Sequence, residues 1–340
     1  MAKFTIQDVA RKAGVSVATI DRVLNHRPGV RAPTVAKVEA AIRELNYQPD
    51  RIAARLARAR EYHFCFILPV STSEFMTRIA DEVRDAAERM EAERVAISVK
   101  KVDVFDGELL SRSLDELGPG IDGVAVVALD HPAVRESINS LVARGIHVVT
   151  LVSDVPGSKR LHYAGIDNSS AGRTAANLMG RFLRGMSGKV GLFAGSLALR
   201  DHIERQFGFE QVVAHEYPNL AVLPVRESRD DWHRVEEMTA QLLAEHPDLI
   251  GIYNVGGGTR GIVSALEAAG RKDIVFIAHE VTDVSRRALI RGTLDAIINQ
   301  DAGHEVRSAV RVLMAKADNA PLVESQERIR IDIFMRDNLP

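Results

Sequence analysis

The apolar residues of this chain follow two different rhythms. Up to about residue 47 they recur at helical spacing in short runs: Ile6, Val9, Ala10 and Ala13, then Val15, Ile20, Val23 and Leu24, then Val35, Val38, Ile42 and Leu45. Thr5 with Asp8 three residues on reads as a capping-box-like start, because the hydroxyl can take an orphan amide of the first turn. Gly14 is placed to end the first helix at positive φ, and Ser16 to cap the second. The pattern predicts two short helices on a tight turn, and a third helix over 33–45 whose apolar face covers them. Such a pair is either an ordinary helical hairpin or a helix-turn-helix, whose second helix enters the major groove of DNA.

After residue 62 the rhythm changes to short β-rich runs alternating with amphipathic stretches. Strands are predicted over 64–68, 95–99, 123–128 and 148–151, with helices over 75–90, 107–117 and 132–144 between them. The alternation then starts again, with helices over 171–183, 203–213, 235–243 and 261–269 and strands over 190–193, 221–225, 249–254 and 274–278. Continuous apolar strands alternating with helices indicate parallel sheets covered on both faces. Two such series predict two similar α/β lobes, with a ligand cleft at the carboxyl ends of their strands.

Charge sharpens this division. The net charge of −2 hides a split: residues 1–60 hold twelve Lys/Arg against five Asp/Glu, a balance of +7, and the remainder holds 32 against 41, or −9. A basic head on an acidic body suggests one polyanion-binding module and a body that does not cling to DNA. At 340 residues and 46% hydrophobic content, two or three domains with sizeable cores are expected. Cys65 is the single cysteine, in an apolar strand, so an intrachain disulfide is excluded and a buried core role expected. No apolar run reaches membrane-spanning length and the start lacks a secretory h-region, which points to the cytoplasm and away from a membrane partner. The 11 histidines are scattered without ligand companions, so no metal site is expected.

Three ordered motifs, TIQDVARKAGVS, then RVLN, then LNYQPDRIAARLA, carry a closer likeness. Through them the chain resembles the lactose-repressor (LacI/GalR) family of bacterial transcription regulators. That resemblance implies an N-terminal all-α helix-turn-helix headpiece and an α/β core of two similar lobes, periplasmic-binding-protein-like and of type I. The implied boundaries are a headpiece over 1–57 with a hinge helix at about 50–58, a linker over 58–62, and a core over 63–340. Three chain crossings, near Gly165, Ala296 and Leu322, would divide the core into an N-lobe of about 63–165 and 297–322 and a C-lobe of about 166–296 and 323–340. The implied function is a homodimeric repressor on operator DNA, controlled by a small effector and needing no cofactor.

On the second helix, Val17, Ala18, Asp21 and Arg22 fall on the face opposite Ile20, Val23 and Leu24. Arg22 can donate two hydrogen bonds to a guanine edge, while Val17 and Ala18 can touch a thymine methyl. Asp21 could accept from cytosine, orient Arg22 or repel phosphate. The resemblance makes Thr5, Ser16, Thr19, Asn25 and Thr34 phosphate contacts, and places Arg31 where relatives often have a helix-capping serine. It makes Leu56 a minor-groove wedge, with Arg51, Arg55 and Arg58 supplying charge.

For the effector, position-by-position matching gives Gln300 and, in the C-lobe, Asp167, Arg205, Trp232, Asn254 and Glu280. The segment Ser71-Thr72-Ser73-Glu74-Phe75, with Ser71, Ser73 and Phe75 facing in, would line the other. Carboxylates, an arginine, amides and one aromatic face suit a sugar, sugar phosphate or cyclic polyol. Two stretches depart from the family pattern, Asn254-Val255 and Ala278-His279-Glu280-Val281, and leave the ligand's identity open. Separately, Gly256-Gly257-Gly258-Thr259-Arg260-Gly261 fits G-x-G-x-x-G, with Glu280 near the spacing for a ribose acid. This supports a competing reading, an NAD-dependent oxidoreductase; a further alternative is a sugar-binding transport component.

Overall fold

The computed structural model describes residues 4–24, 27–47, 61–70 and 73–340. By its contacts the chain divides into two compact units, a head of residues 1–62 with 90–95 and a body of 63–89 with 96–340.

In the head, α1 (Ile6–Ala13) starts at a reciprocal capping box: the Thr5 N–H donates to Asp8 Oδ2 at 2.9 Å, and Asp8 N–H donates to Thr5 Oγ1 at 3.4 Å. It ends at Gly14, whose φ of 66° suits a residue without Cβ. α2 (Val17–Leu24) follows at once, and α3 (Ala32–Glu44) closes over both. Val9, Ala10, Ile20, Val23 and Val38 are buried in the head's core as the sequence spacing predicts, together with Ala41, which the spacing does not single out. Lys12 pairs with Glu44 at 2.7 Å, fastening α1 to α3 at the surface. Arg31 stands at the N-cap of α3 and makes no side-chain cap there. The expected hinge helix lies outside the described residues, as do Asn25, Arg55, Leu56 and Ser71.

The body is built on two sheets. The first has the order β2-β1-β3-β4-β5, made from β1 (Tyr62–Pro69), β2 (Val95–Val102), β3 (Gly123–Val126), β4 (His147–Leu151) and β5 (His162–Ala164). Strands β1, β3, β4 and β5 pair in parallel, and α4 (Glu74–Glu91), α5 (Gly107–Asp115) and α6 (Pro132–Ala143) connect within this series. Cys65 is buried in β1 as a small apolar residue.

After α7 (Asn168–Phe182) the second sheet begins with β6 (Gly188–Ala194), α8 (Arg200–Glu216), β7 (Leu220–Val222) and β8 (Arg226–Glu227). It continues through α9 (Trp232–Glu245), β9 (Leu249–Asn254), α10 (Thr259–Ala269), β10 (Val275–His279), α11 (Asp283–Arg291) and β11 (Ala296–Asn299). α12 (Ala302–Ala317) then returns to pack on β4 and β5 of the first sheet, and β12 (Asp332–Phe334) pairs antiparallel with β11. The order is β12-β11-β10-β9-β6-β7, with β8 also on β6.

The resemblance puts a second crossing near Ala296. β11 runs to Asn299 and belongs wholly to the second sheet, with Ile297 and Ile298 fully buried in it. The chain leaves this sheet only at Gln300 and Asp301, where the Asp301 carboxylate caps α12.

Candidate functional site

A cavity of about 160 Å³ lies in the body where the segments following several strands converge. It receives Ser73 and Phe75 from the start of α4, Arg205 from α8, Trp232 from the start of α9, Glu280 from the end of β10 and Gln300 from the end of β11. Of the nine expected effector residues, these six come together. Asp167 and Asn254 are not among the lining residues. Asp167 caps α7, accepting from the backbone N–H of Ser170 at 2.8 Å and from its hydroxyl at 2.6 Å. The Asn254 amide donates to the Gly257 carbonyl and the Thr259 hydroxyl, ordering the glycine loop from behind.

Arg205 is held from two directions. Its Nε donates to Asn168 Oδ1 at 2.8 Å and its Nη1 to the Val255 carbonyl at 2.8 Å. The side chain is only 3% exposed, and Nη2 has no partner among the described residues. Close approach of two helices puts it there: a Cβ on Gly172 would meet the Arg205 carbonyl oxygen at 2.0 Å, and one on Gly208 would meet that of Ser169 at 2.3 Å. Only glycine lets α7 and α8 touch this closely.

Glu280 is buried beside it and accepts from Gln300 Nε2 at 2.8 Å. Burial pushes its carboxyl up to about 7, against the opposing pull of Arg205 and of the hydrogen bonds from Gln300. His279, fully buried, has its pKa driven well below the usual range by burial and by the nearby Arg205 and His202. It is therefore a neutral imidazole at neutral pH, with Nε2 hydrogen-bonded to the Tyr253 hydroxyl at 2.8 Å. Backbone strain concentrates here too. Glu280 has φ 69° and Val152, also lining the cavity, has φ 63°, a left-handed conformation that costs a β-branched residue about 1–3 kcal/mol.

Sequence reasoning missed Asp201, His202, Asp230, His279, Arg260 and Thr282, all of which line the cavity. Trp232 is half-buried at the first position of α9, stacked on His233 at 3.5 Å with the Arg260 guanidinium 5.4 Å from its ring centre. Arg260 also pairs with Glu74 at 2.8 Å, so α4 and α10 meet at the cavity mouth. The glycine run beside it has a packing explanation. Cβ atoms at Gly256, Gly257 and Gly261 would strike His202 and the Gly195 N–H, Asp230, and the Trp232 carbonyl respectively, while Gly258 has φ 84°. Its glycines bring the loop against neighbouring backbone and side chains, which removes the reason to read them as a nucleotide fingerprint. Among the described residues no cluster of His, Cys, Asp or Glu could hold a metal ion.

The head offers a separate surface. Val17 is 42% exposed, and Ala18 and Arg22 are exposed with it on the outer face of α2. Ser16 and Thr19 bond to each other, hydroxyl to hydroxyl at 2.9 Å, and the Thr19 N–H donates to Ser16 Oγ at 3.2 Å, so together they start α2. Asp21 pairs with Arg27 at 3.4 Å. Thr34 is half-buried in the first turn of α3.

The comparisons with known proteins divide the chain in the same way. A family model described as bacterial regulatory proteins, lacI family, matches residues 5–50, and one described as periplasmic binding protein domain matches residues 64–321. The chain belongs to the lacI family of bacterial regulators, with a periplasmic binding protein domain as its body. The HTH-type transcriptional regulator AglR of Rhizobium meliloti is 26% identical over 81% of this chain and 77% of its own length. Catabolite control protein A of Priestia megaterium is 24% identical over 87% and 79%. An ABC transporter solute-binding protein from Burkholderia graminis, solved in complex with D-arabinose, superposes with a TM-score of 0.74 at 24% identity, covering 82% of this chain and 97% of its own. GanP, a glucose-galactose binding protein from Geobacillus stearothermophilus, gives 0.72 at 20% identity, covering 83% and 99%. The lacI-family regulator is thus a helix-turn-helix DNA-binding transcription regulator, and the oxidoreductase and transport readings are not favoured. No helix among its described residues is long and apolar enough to cross a membrane.

Proposed function

We propose that this regulator is a homodimeric repressor whose two heads read a near-palindromic operator, and that a sugar or polyol bound in the body's cavity sets its operator affinity. The observation that carries the reading is the pairing, in one chain, of a head with an outward-facing Val17-Ala18-Arg22 surface and a body cavity with buried, uncommitted hydrogen-bonding groups. Arg22 would read a base edge, with Val17 and Ala18 against thymine methyls. Thr5, Ser16, Thr19, Asn25, Arg31 and Thr34 would lie against phosphates, the guanidinium adding charge. Arg55 and Leu56 would act in the minor groove between the two heads. Asp21, neutralising Arg27, would keep that arginine off the groove.

In the cavity, Trp232 would stack on the apolar face of a sugar ring, while Arg205, Gln300 and Glu280 take its hydroxyls, and Ser73 and Phe75 close from the α4 side. Coupling requires that the ligand favour one arrangement of the molecule over another, which the α4 to α10 contact at the cavity mouth can supply. A solute-binding protein of the same fold, that from Burkholderia graminis, was solved holding D-arabinose, which supports a sugar as the ligand class. The test is selection of duplexes from a random pool by the full chain. A shared sequence with two related half-sites, occupied by two chains and weakening steeply as salt rises, is expected. Recovery of unrelated sequences, or one chain per selected site, would contradict it.

A further inference from the structure

The charge around the cavity is lopsided. Four carboxyl groups line it, those of Glu74, Asp201, Asp230 and Glu280, the last losing its proton near 7, against two guanidiniums, Arg205 and Arg260. Arg260 is already paired with Glu74. Arg205 has two of its three nitrogens committed to Asn168 and Val255, and only Nη2 is uncommitted among the described residues. Unsatisfied acceptors accompany it, and His279 Nδ1, also lining the cavity, has no partner among the described residues either. Asp201 Oδ1 and Gln300 Oε1 have no hydrogen-bond partner among the described residues, although Asp201 is 4% exposed and Gln300 3%. Buried polar atoms left in this condition are costly, and a ligand that donates hydrogen bonds to them removes the cost.

Helix N-termini at the cavity would ordinarily attract an anion. Here the chain supplies those anions itself. Glu74 occupies the first turn of α4, Asp201 occupies the first turn of α8, and Asp230 Oδ1 accepts the Gly257 N–H at 2.8 Å just before α10. A phosphate entering the cavity would find one uncommitted guanidinium nitrogen and would lie beside Asp201 and Glu280. A hydroxyl can donate to Asp201 or Gln300 and accept from Arg205.

We infer that the cavity takes an uncharged sugar or polyol and that its ring of carboxylates excludes the phosphorylated and carboxylated derivatives of the same skeleton. This rests on reading the cavity as the effector site. The test uses the full chain and matched sets: glucose, glucose 6-phosphate and glucuronate; ribose and ribose 5-phosphate; myo-inositol and its monophosphate. Affinities come from calorimetry and from Trp232 emission. In any set that binds, the neutral member should bind at least about 100-fold more tightly than the anionic one, since like charges set side by side are strongly unfavourable. Asp201→Asn combined with Glu280→Gln keeps the shapes of both side chains and should narrow that gap by about tenfold.

An anion that binds as tightly as its parent overturns the inference, and so does a gap that the double variant leaves unchanged. The underlying reading fails differently. If a neutral sugar binds and Arg205→Lys alters neither its affinity nor the emission change, the sugar sits elsewhere. Absence of binding across every set removes both the inference and the reading.

Discussion

Two arginines show how differently the regulator's two regions are built. Arg22 stands exposed on a head whose buried core is apolar and whose capping groups are paired with one another. Arg205 lies buried in the body, bonded on two sides and open on the third. The head is a finished scaffold that presents side chains outward, so DNA contacts are added to it. The cavity is unfinished, because several buried polar atoms lack partners among the described residues. A ligand there completes the protein's own hydrogen bonding, and binding to the folded state must then stabilise it. The same residue type therefore stands free on a surface in one region and is a structural element with one spare bond in the other.

Removing each arginine in turn should separate the two roles. Arg205→Ala leaves Asn168 Oδ1 and the Val255 carbonyl unpaired in a buried site, and should lower stability by about 3–5 kcal/mol. Urea denaturation measures it, and a change near zero would mean that Arg205 is not the pillar described above. Glu280→Gln comes next. In the unfolded chain this carboxyl releases its proton near 4.5, and in the folded body near 7. Between those values the folded state holds a proton that the unfolded state has lost, so Glu280's contribution to stability falls as pH rises, by about 3 kcal/mol across the window. The variant should flatten that part of the pH profile relative to the parent.

In the head, Arg22→Ala should cost about 1–3 kcal/mol of operator affinity and relax one base position, with stability within about 0.5 kcal/mol of the parent. Equal weakening on all sequences would make Arg22 a phosphate contact instead. The smallest effect expected is that of Thr5→Ala, which removes the cap of α1 and should lower the head's stability by about 1 kcal/mol. Loss of operator affinity beyond that would mark the hydroxyl as a DNA contact as well.

The head is legible in the sequence because its determinants are local: Thr5 and Asp8 three apart, Gly14 at the turn, and apolar positions within one or two helical turns. The two sheets are legible for the same reason, since buried parallel strands announce themselves as apolar runs. Much of the cavity is not. Asp201 and His202 stand at a helix start, where polar residues are ordinary, yet both are buried, and His202 packs against Gly256, a neighbour distant in the sequence. Asp230 reaches the glycine loop because Arg229 and Asp230 both adopt positive φ, which no residue type there signals. Asp167 and Asn254 are matched by position alone; the Asp167 carboxylate caps a helix and the Asn254 amide nitrogen holds a loop, while Asn254 Oδ1 has no partner among the described residues.

The proposed link between the two regions is that occupation of the body's cavity governs the head's hold on DNA. One sample can show it: the full chain with a labelled duplex recovered by selection, titrated with the neutral sugar or polyol that binds. Trp232, the only tryptophan, reports the cavity, and the duplex's anisotropy reports the head. Emission and anisotropy should change together over the same concentration range, and Arg205→Lys should shift both to higher concentration. An emission change that saturates while anisotropy stays constant would contradict the link, as would release of the duplex with Trp232 undisturbed.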